Sequence, residues 1–80
     1  ATFNNCVFHD NSEDGLYGSE STIHLHGEAT AVHSNRGCGI DVINSCEVII
    51  HLPSHHNTTY NNGNEDRWIG PGCTITNVED

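Results

Sequence analysis

Val7-Phe8-His9-Asp10-Asn11-Ser12-Glu13-Asp14-Gly15-Leu16-Tyr17 returns further along the chain as Ala31-Val32-His33-Ser34-Asn35-Arg36-Gly37-Cys38-Gly39-Ile40-Asp41. His, Asn and Gly recur unchanged, while Val replaces Phe and Ile replaces Leu. Each copy reads as a short strand, a turn opened by Asn and closed by Gly, and a second short strand. A helix is a poor alternative, because Asn, Gly, β-branched and aromatic residues stand where Ala, Leu or Glu would be wanted. Recurrence at a fixed period of about 20–50 residues is the mark of a solenoid. One copy of the phrase is thus expected to belong to one coil.

Working outward, the chain divides into a partial coil over 1–19, a full coil over 20–44, a coil with a long loop over 45–71 and the start of another over 72–80. Thr2 to Phe8 reads as one strand, Asp10 to Asp14 as a turn and Gly15 to Tyr17 as a second strand. Thr22-Ile23-His24-Leu25-His26 alternates strictly, which turns Ile23 and Leu25 inward and both histidines outward. Gly27 turns a corner, and Glu28 to Ser34 reads as the next strand. Glu47-Val48-Ile49-Ile50-His51-Leu52 stands one period after the strand that begins at Thr22, so Val48 is expected beside Ile23 and Ile50 beside Leu25. Pro53 should end that strand, since it lacks the ladder donor. Asn61-Asn62-Gly63 reads as a remnant turn, and Trp68 and Ile69 as covering apolar surface, with Trp68 capping one end. Cys73-Thr74-Ile75-Thr76 opens a new coil.

The composition suits a narrow core: 80 residues, 34% apolar, no Met and a formal charge of −9. There is no Lys, and the basic residues are Arg36 and Arg67 alone. Nucleic-acid binding needs cationic surface to release counterions, so no nucleic acid is expected as partner. An anionic membrane surface is equally unsuited, and no apolar run approaches the ~18 residues that span a bilayer. Four cysteines (Cys6, Cys38, Cys46 and Cys73) without a C-x-x-C spacing favour disulfides in an oxidising compartment. Their connectivity is open, though Cys46 and Cys73 both stand near the start of a coil. Asn57-Thr58-Thr59 is an N-glycosylation sequon in a polar loop, which agrees with an extracellular or cell-surface location.

Phe8-His9-Asp10-Asn11 followed by Asp14-Gly15-Leu16-Tyr17 resembles the F-x-x-N and G-G-[AIL] repeats of right-handed parallel β-helix surface proteins. Polymorphic outer-membrane proteins carry such repeats, as do β-helix repeat proteins of algae and protists. The second copy keeps Asn35 and Gly39-Ile40 and has Val32 for the Phe. The resemblance covers nearly the whole chain. It implies a right-handed parallel β-helix acting structurally, as a module of a secreted or cell-surface protein.

Several groupings could carry chemistry. The same register brings His51 beside His26, with His24 on the same face, and three imidazoles there could hold Zn2+, Ni2+ or Cu2+. His55 and His56 follow in the loop. His9 and His33 form a second stacked pair, read as a bland surface ladder. Asn11 and Asn35 read as structural, since Asn tolerates the left-handed region and its amide can bond turn backbone coil upon coil. Gly15 and Gly39 mark positive φ or a close approach of neighbouring backbone. The carboxylates Asp10, Glu13 and Asp14, with Glu65 and Asp66 elsewhere, could bind Ca2+ or form an acid/base pair on a polysaccharide. A basic residue suited to lyase chemistry is lacking, and Tyr17, Tyr60 and Trp68 do not recur at the coil period as an aromatic row for sugar would.

The expectation is therefore an all-β, right-handed parallel β-helix of about three coils with a period of about 24–26 residues, as one module over 1–80. Its function reads as non-enzymatic and structural: stacking through coil ends into a fibre, or forming the end of a longer solenoid. A carbohydrate-binding or polysaccharide-degrading β-helix is the alternative, and surface metal binding by His24, His26 and His51 the second. No cofactor is required beyond that divalent metal, and self-association or other β-helix coils are the expected partners.

Overall fold

A computed structural model describes residues 1–52 and 58–79, with Leu52 described by its backbone alone. The strands are β1 (Thr2–Asn4), β2 (Val7–His9), β3 (Leu16–Ser19), β4 (Thr22–His26), β5 (Ala31–His33), β6 (Ile40–Ile43), β7 (Glu47–Leu52), β8 (Thr59–Tyr60), β9 (Arg67–Ile69) and β10 (Thr74–Glu79). Among the described residues there is no helix, so none long and apolar enough to cross a membrane. Every pairing is parallel, and each strand pairs with the one three places on. Three sheets result, ordered β1-β4-β7-β10, β2-β5-β8 and β3-β6-β9. The chain visits the sheets in turn and lays down tier upon tier.

Side-chain alternation fixes the register. Ile23 pairs with Val48 and Leu25 with Ile50, as the strict apolar–polar pattern of β4 requires. Phe8 lies on Val32 and Leu16 on Ile40, which matches the two copies of the repeated phrase. The step between paired residues is not constant. It is shortest from Thr2 to His24, intermediate from Phe8 to Val32 and from Ile23 to Val48, and longest from Ile40 to Arg67, a wider spread than the repeat alone implied. Ile23, Leu25, Val48 and Ile50 of the first sheet, Val32 of the second, and Leu16, Ile40 and Val42 of the third meet in one core with Cys46.

The segment Thr2 to Phe8 is two strands rather than one. Asn5 adopts φ 53° between them, and the chain turns there onto its second sheet. Glu28 to Ser34 likewise shortens to β5, after a corner at Gly27 with φ 97°. Asp10, Ser34 and Asn61 (φ 57°, 56° and 53°) turn the chain from second to third sheet in successive tiers. Asp and Asn accept this left-handed geometry better than most side chains. The turn asparagines Asn11 and Asn35 therefore follow the left-handed residue rather than occupy it.

Trp68 and Ile69 remain 48% and 49% exposed; Ile69 lies over the fully buried Val42 at the end of an inward column, whereas Trp68 does not cover the core. Trp68 is in register with Asp41 on an outward column, so its ring cannot cap an end. The inward position beside it belongs to Arg67, which lies in register with the fully buried Ile40. Arg67 Nε donates to Thr59 Oγ1 (2.9 Å), and Thr59 is in register with buried Val32. This hydrogen bond crosses the end of the core between two sheets. Burial lowers the pKa of the Arg67 guanidinium, and the neighbouring Asp66 offsets part of that effect.

Candidate functional site

The asparagines of the turns point inward and bond to one another. Asn11 Nδ2 donates to Asn35 Oδ1 (2.8 Å), and Asn35 Nδ2 donates to Asn62 Oδ1 (2.9 Å). Asn35 Nδ2 also reaches the Phe8 carbonyl, and Asn62 Nδ2 the Val32 carbonyl. Asn35 is 2% exposed. These amides satisfy turn backbone that would otherwise be buried unpaired, so they hold tiers together rather than bind a ligand. Asn62 is the third rung, in the segment that reads only as a remnant turn. Gly15 and Gly39 have no positive φ. Each stands where the next tier comes too close for a side chain.

Two of the carboxylates, Asp14 and Asp66, are also engaged in structure. Asp14 Oδ1 accepts from the Cys38 N–H (2.8 Å), and Asp66 Oδ1 accepts from the Asn62 N–H and Nδ2. Asp14, Cys38 and Asp41 bring one ligand-type atom each within 4.8 Å of one another. Burial raises the Asp41 carboxyl pKa above its ordinary value; the charge of Asp14 and a hydrogen bond to it act in the same direction. Asp41 Oδ1 is buried without a partner. The folded chain therefore holds its proton to higher pH than the unfolded chain, and stability falls as pH rises from the usual carboxylate range through the raised value. Asp41→Asn removes that loss. Its thermal midpoint is expected to exceed the parent's at neutral pH and to converge with it in acid, as melting curves across pH will show. A parallel downward shift at every pH would contradict the account.

Tyr17 and Trp68 prove to share a register. Tyr17 pairs with Asp41 and Asp41 with Trp68, so two exposed rings flank one carboxyl along a single outward column. The step from Tyr17 to Asp41 is shorter than the step from Asp41 to Trp68, which hides this column from a search at fixed period. It supplies one ring in every second tier, short of the continuous aromatic row that would favour sugar.

His9 and His33 stack with centroids 5.3 Å apart and planes 8° apart, and Tyr60 continues the stack beyond His33 at 4.8 Å. His9 Nδ1 is engaged by Asp10 and His33 Nδ1 by Ser34 Oγ. That column is a surface ladder.

The other histidine face differs. His24 and His26 share the outward side of β4, and His51 lies on β7 one step past the Leu25–Ile50 pair. The rings of His26 and His51 stack at 3.9 Å and 10°. His24 and His51 instead meet nitrogen to nitrogen, Nδ1 to Nε2, at 2.8 Å. Spacing alone placed His51 beside His26; that diagonal contact with His24 is visible only in the structure. One ligand atom from each of the three lies within 4.8 Å of the others.

All four cysteines are free thiols. Cys46 and Cys73 do stand next to each other, but through a Cys46 N–H donating to Cys73 Sγ (3.2 Å) rather than a disulfide. The sequon Asn57, together with Pro53, His55 and His56, lies outside the described residues. Comparison with protein-family models, with curated proteins and with solved structures gives no match to this chain.

Proposed function

We propose that the chain is a right-handed parallel β-helix module, non-enzymatic, that forms the end of a β-helical stack. It would close the stack at its β8–β10 end and receive further coils at its β1–β3 end. Strand order by threes in parallel sheets supports the helical winding, and parallel crossovers are overwhelmingly right-handed. The tier-to-tier hydrogen bond accepted by Asp14, and the bonds Asp66 accepts within its own turn, support a structural rather than an acid/base role.

One observation carries the reading: the two ends differ in kind. The inward residues of the first tier are Phe3, Phe8 and Leu16. The two Phe rings pack edge to face at 5.2 Å and only partly bury themselves against the core. At the other end the inward columns finish on Thr59, Arg67 and Asn77, with Ile69 and Ile75 the apolar exceptions. An end tier bearing polar inward groups is what a solenoid cap requires, and an apolar one asks for another tier.

In isolation the β1–β3 end is expected to associate with that of a second copy, giving a reversible dimer rather than a filament. Light scattering across protein concentration measures this. His24 N–H donates to the Ala1 carbonyl and Asn5 N–H to the His26 carbonyl, so the backbone of Asn4 faces the open edge. Asn4→Pro should therefore shift the chain towards monomer about tenfold or more in concentration while leaving its melting temperature nearly unchanged. A dispersed monomer at every concentration, or filaments indifferent to Asn4→Pro and to Phe8→Glu, would refute the assignment of the two ends.

A further inference from the structure

We propose that His24, His26 and His51 form a binding site for one divalent transition-metal ion of the Cu2+, Ni2+ or Zn2+ class. The site is separate from the coil ends and does not depend on what docks there.

The backbone supplies the placement. Alternation on β4 sends His24 and His26 to one face, and parallel register sets His51 beside them on β7. A strand slipped by one residue would turn His51 inward, so the three converge only in the native register. Their ligand atoms already lie within 4.8 Å of one another, so the backbone has no need to move. The rings do. Tetrahedral Zn2+, about 2.0–2.1 Å from each nitrogen, holds its ligands about 3.3 Å apart. The His24 Nδ1 and His51 Nε2 atoms are at 2.8 Å, so they must open slightly. His26, stacked flat on His51, must rotate to aim a nitrogen at the same point.

The nitrogen-to-nitrogen contact shows why a cation fits. At 2.8 Å one of the two nitrogens carries a hydrogen and the other offers its lone pair. A change of tautomer on one ring moves that hydrogen to the far nitrogen and turns both lone pairs into the gap. An ion placed there gains two imidazoles directly, with His26 as the third and solvent completing the shell. Imidazole donors select transition ions over Ca2+ or Mg2+, which ask for oxygen. Across the class, affinity should follow the usual order, with Cu2+ tightest.

The second histidine column is an internal control. His9 and His33 are also stacked and also outward, but the third ring of their column is the Tyr60 phenol, so only two imidazoles meet there. Histidine stacking by itself therefore predicts two sites, and the geometry predicts one.

Calorimetric titration of the whole chain with Cu2+, Zn2+ and Mg2+ tests the proposal, with proton NMR of the imidazole C–H signals as a second readout. The expected result is one equivalent of Cu2+ or Zn2+ bound and no Mg2+. His26→Gln and His51→Gln should each weaken binding about tenfold or more, while His9→Gln leaves it unchanged. In the parent chain the signals of His24, His26 and His51 should shift or broaden before those of His9 and His33, a readout that needs no variant to fold. Binding no tighter than millimolar, binding that survives His26→Gln with His51→Gln, or perturbation spread evenly over all histidines would each overturn it.

Discussion

Asn35→Ala is expected to lower stability by about 2–4 kcal/mol, enough to leave much of the chain unfolded at moderate temperature. The side chain is 2% exposed and mediates between tiers in both directions. Its Oδ1 accepts from the Asn11 N–H and Nδ2, and its Nδ2 donates to Asn62 Oδ1 and the Phe8 carbonyl. Alanine leaves these groups without the amide that joins them. Each buried donor or acceptor stranded this way costs about 1–3 kcal/mol. Asn11 lies at the exposed end of the same ladder, so Asn11→Ala should cost roughly 0.5–1 kcal/mol, the worth of an ordinary hydrogen bond. Urea unfolding of the two variants measures the difference. Equal losses, or a loss at Asn35 below about 0.5 kcal/mol, would mean that the ladder contributes nothing beyond surface bonding.

The repeated phrase made two of the three sheets legible, because Phe8 on Val32 and Leu16 on Ile40 are the same pairs in sequence and in space. The first sheet was legible from alternation, which needs no repeat: Ile23 and Leu25 could only face inward if the histidines faced out. What escaped lies where the step changes. The steps from Val32 to Thr59 and from Ile40 to Arg67 are longer than those before them, so the third copy no longer aligns with the first two. Asn62 then looks like a remnant rather than a rung, and Trp68 like a cap over apolar surface rather than the end of the Tyr17–Asp41 column. Size misled as well. A lone Trp in a small chain is ordinarily expected to bury, whereas here register sends it outward and gives the inward place to Arg67, whose stem is apolar enough to end a core column. The break at Asn5 had no Gly or Pro to announce it, since Asn enters the left-handed region unaided. Of the histidine site, the face and the His26–His51 neighbours followed from spacing. The approach of His24 to His51 depends on side-chain rotation, which no spacing encodes.

Gly39→Ala should destabilise by about 3 kcal/mol, at the upper end of what overpacking a well-filled interior costs. A Cβ at Gly39 would stand 2.5 Å from the Asp66 carbonyl oxygen and 2.6 Å from Asn62 Nδ2. The first of these is backbone and cannot swing away. It is also the acceptor for the Ile40 N–H at 2.9 Å, so moving it loosens the ladder between β6 and β9. The Asn62 amide is fixed in turn by Asn35 and Asp66. Strain at this point therefore reaches the asparagine ladder and the sheet together. The same column explains why the repeat tolerates a third residue that is not glycine. Gly15 lies under the Gly39 carbonyl and Gly39 under the Asp66 carbonyl, whereas Asp66 belongs to the last tier of its sheet. Among the described residues, glycine stands wherever a further tier lies above. Gly15→Ala, which meets the Gly39 carbonyl at 2.9 Å, should accordingly lose stability too. The two glycines contact each other's tier, so the double variant is expected to depart from additivity by about 0.5–3 kcal/mol. Equilibrium unfolding of the single and double variants decides the matter. A Gly39→Ala chain within about 0.5 kcal/mol of the parent would show that the tiers are spaced more widely than this column requires.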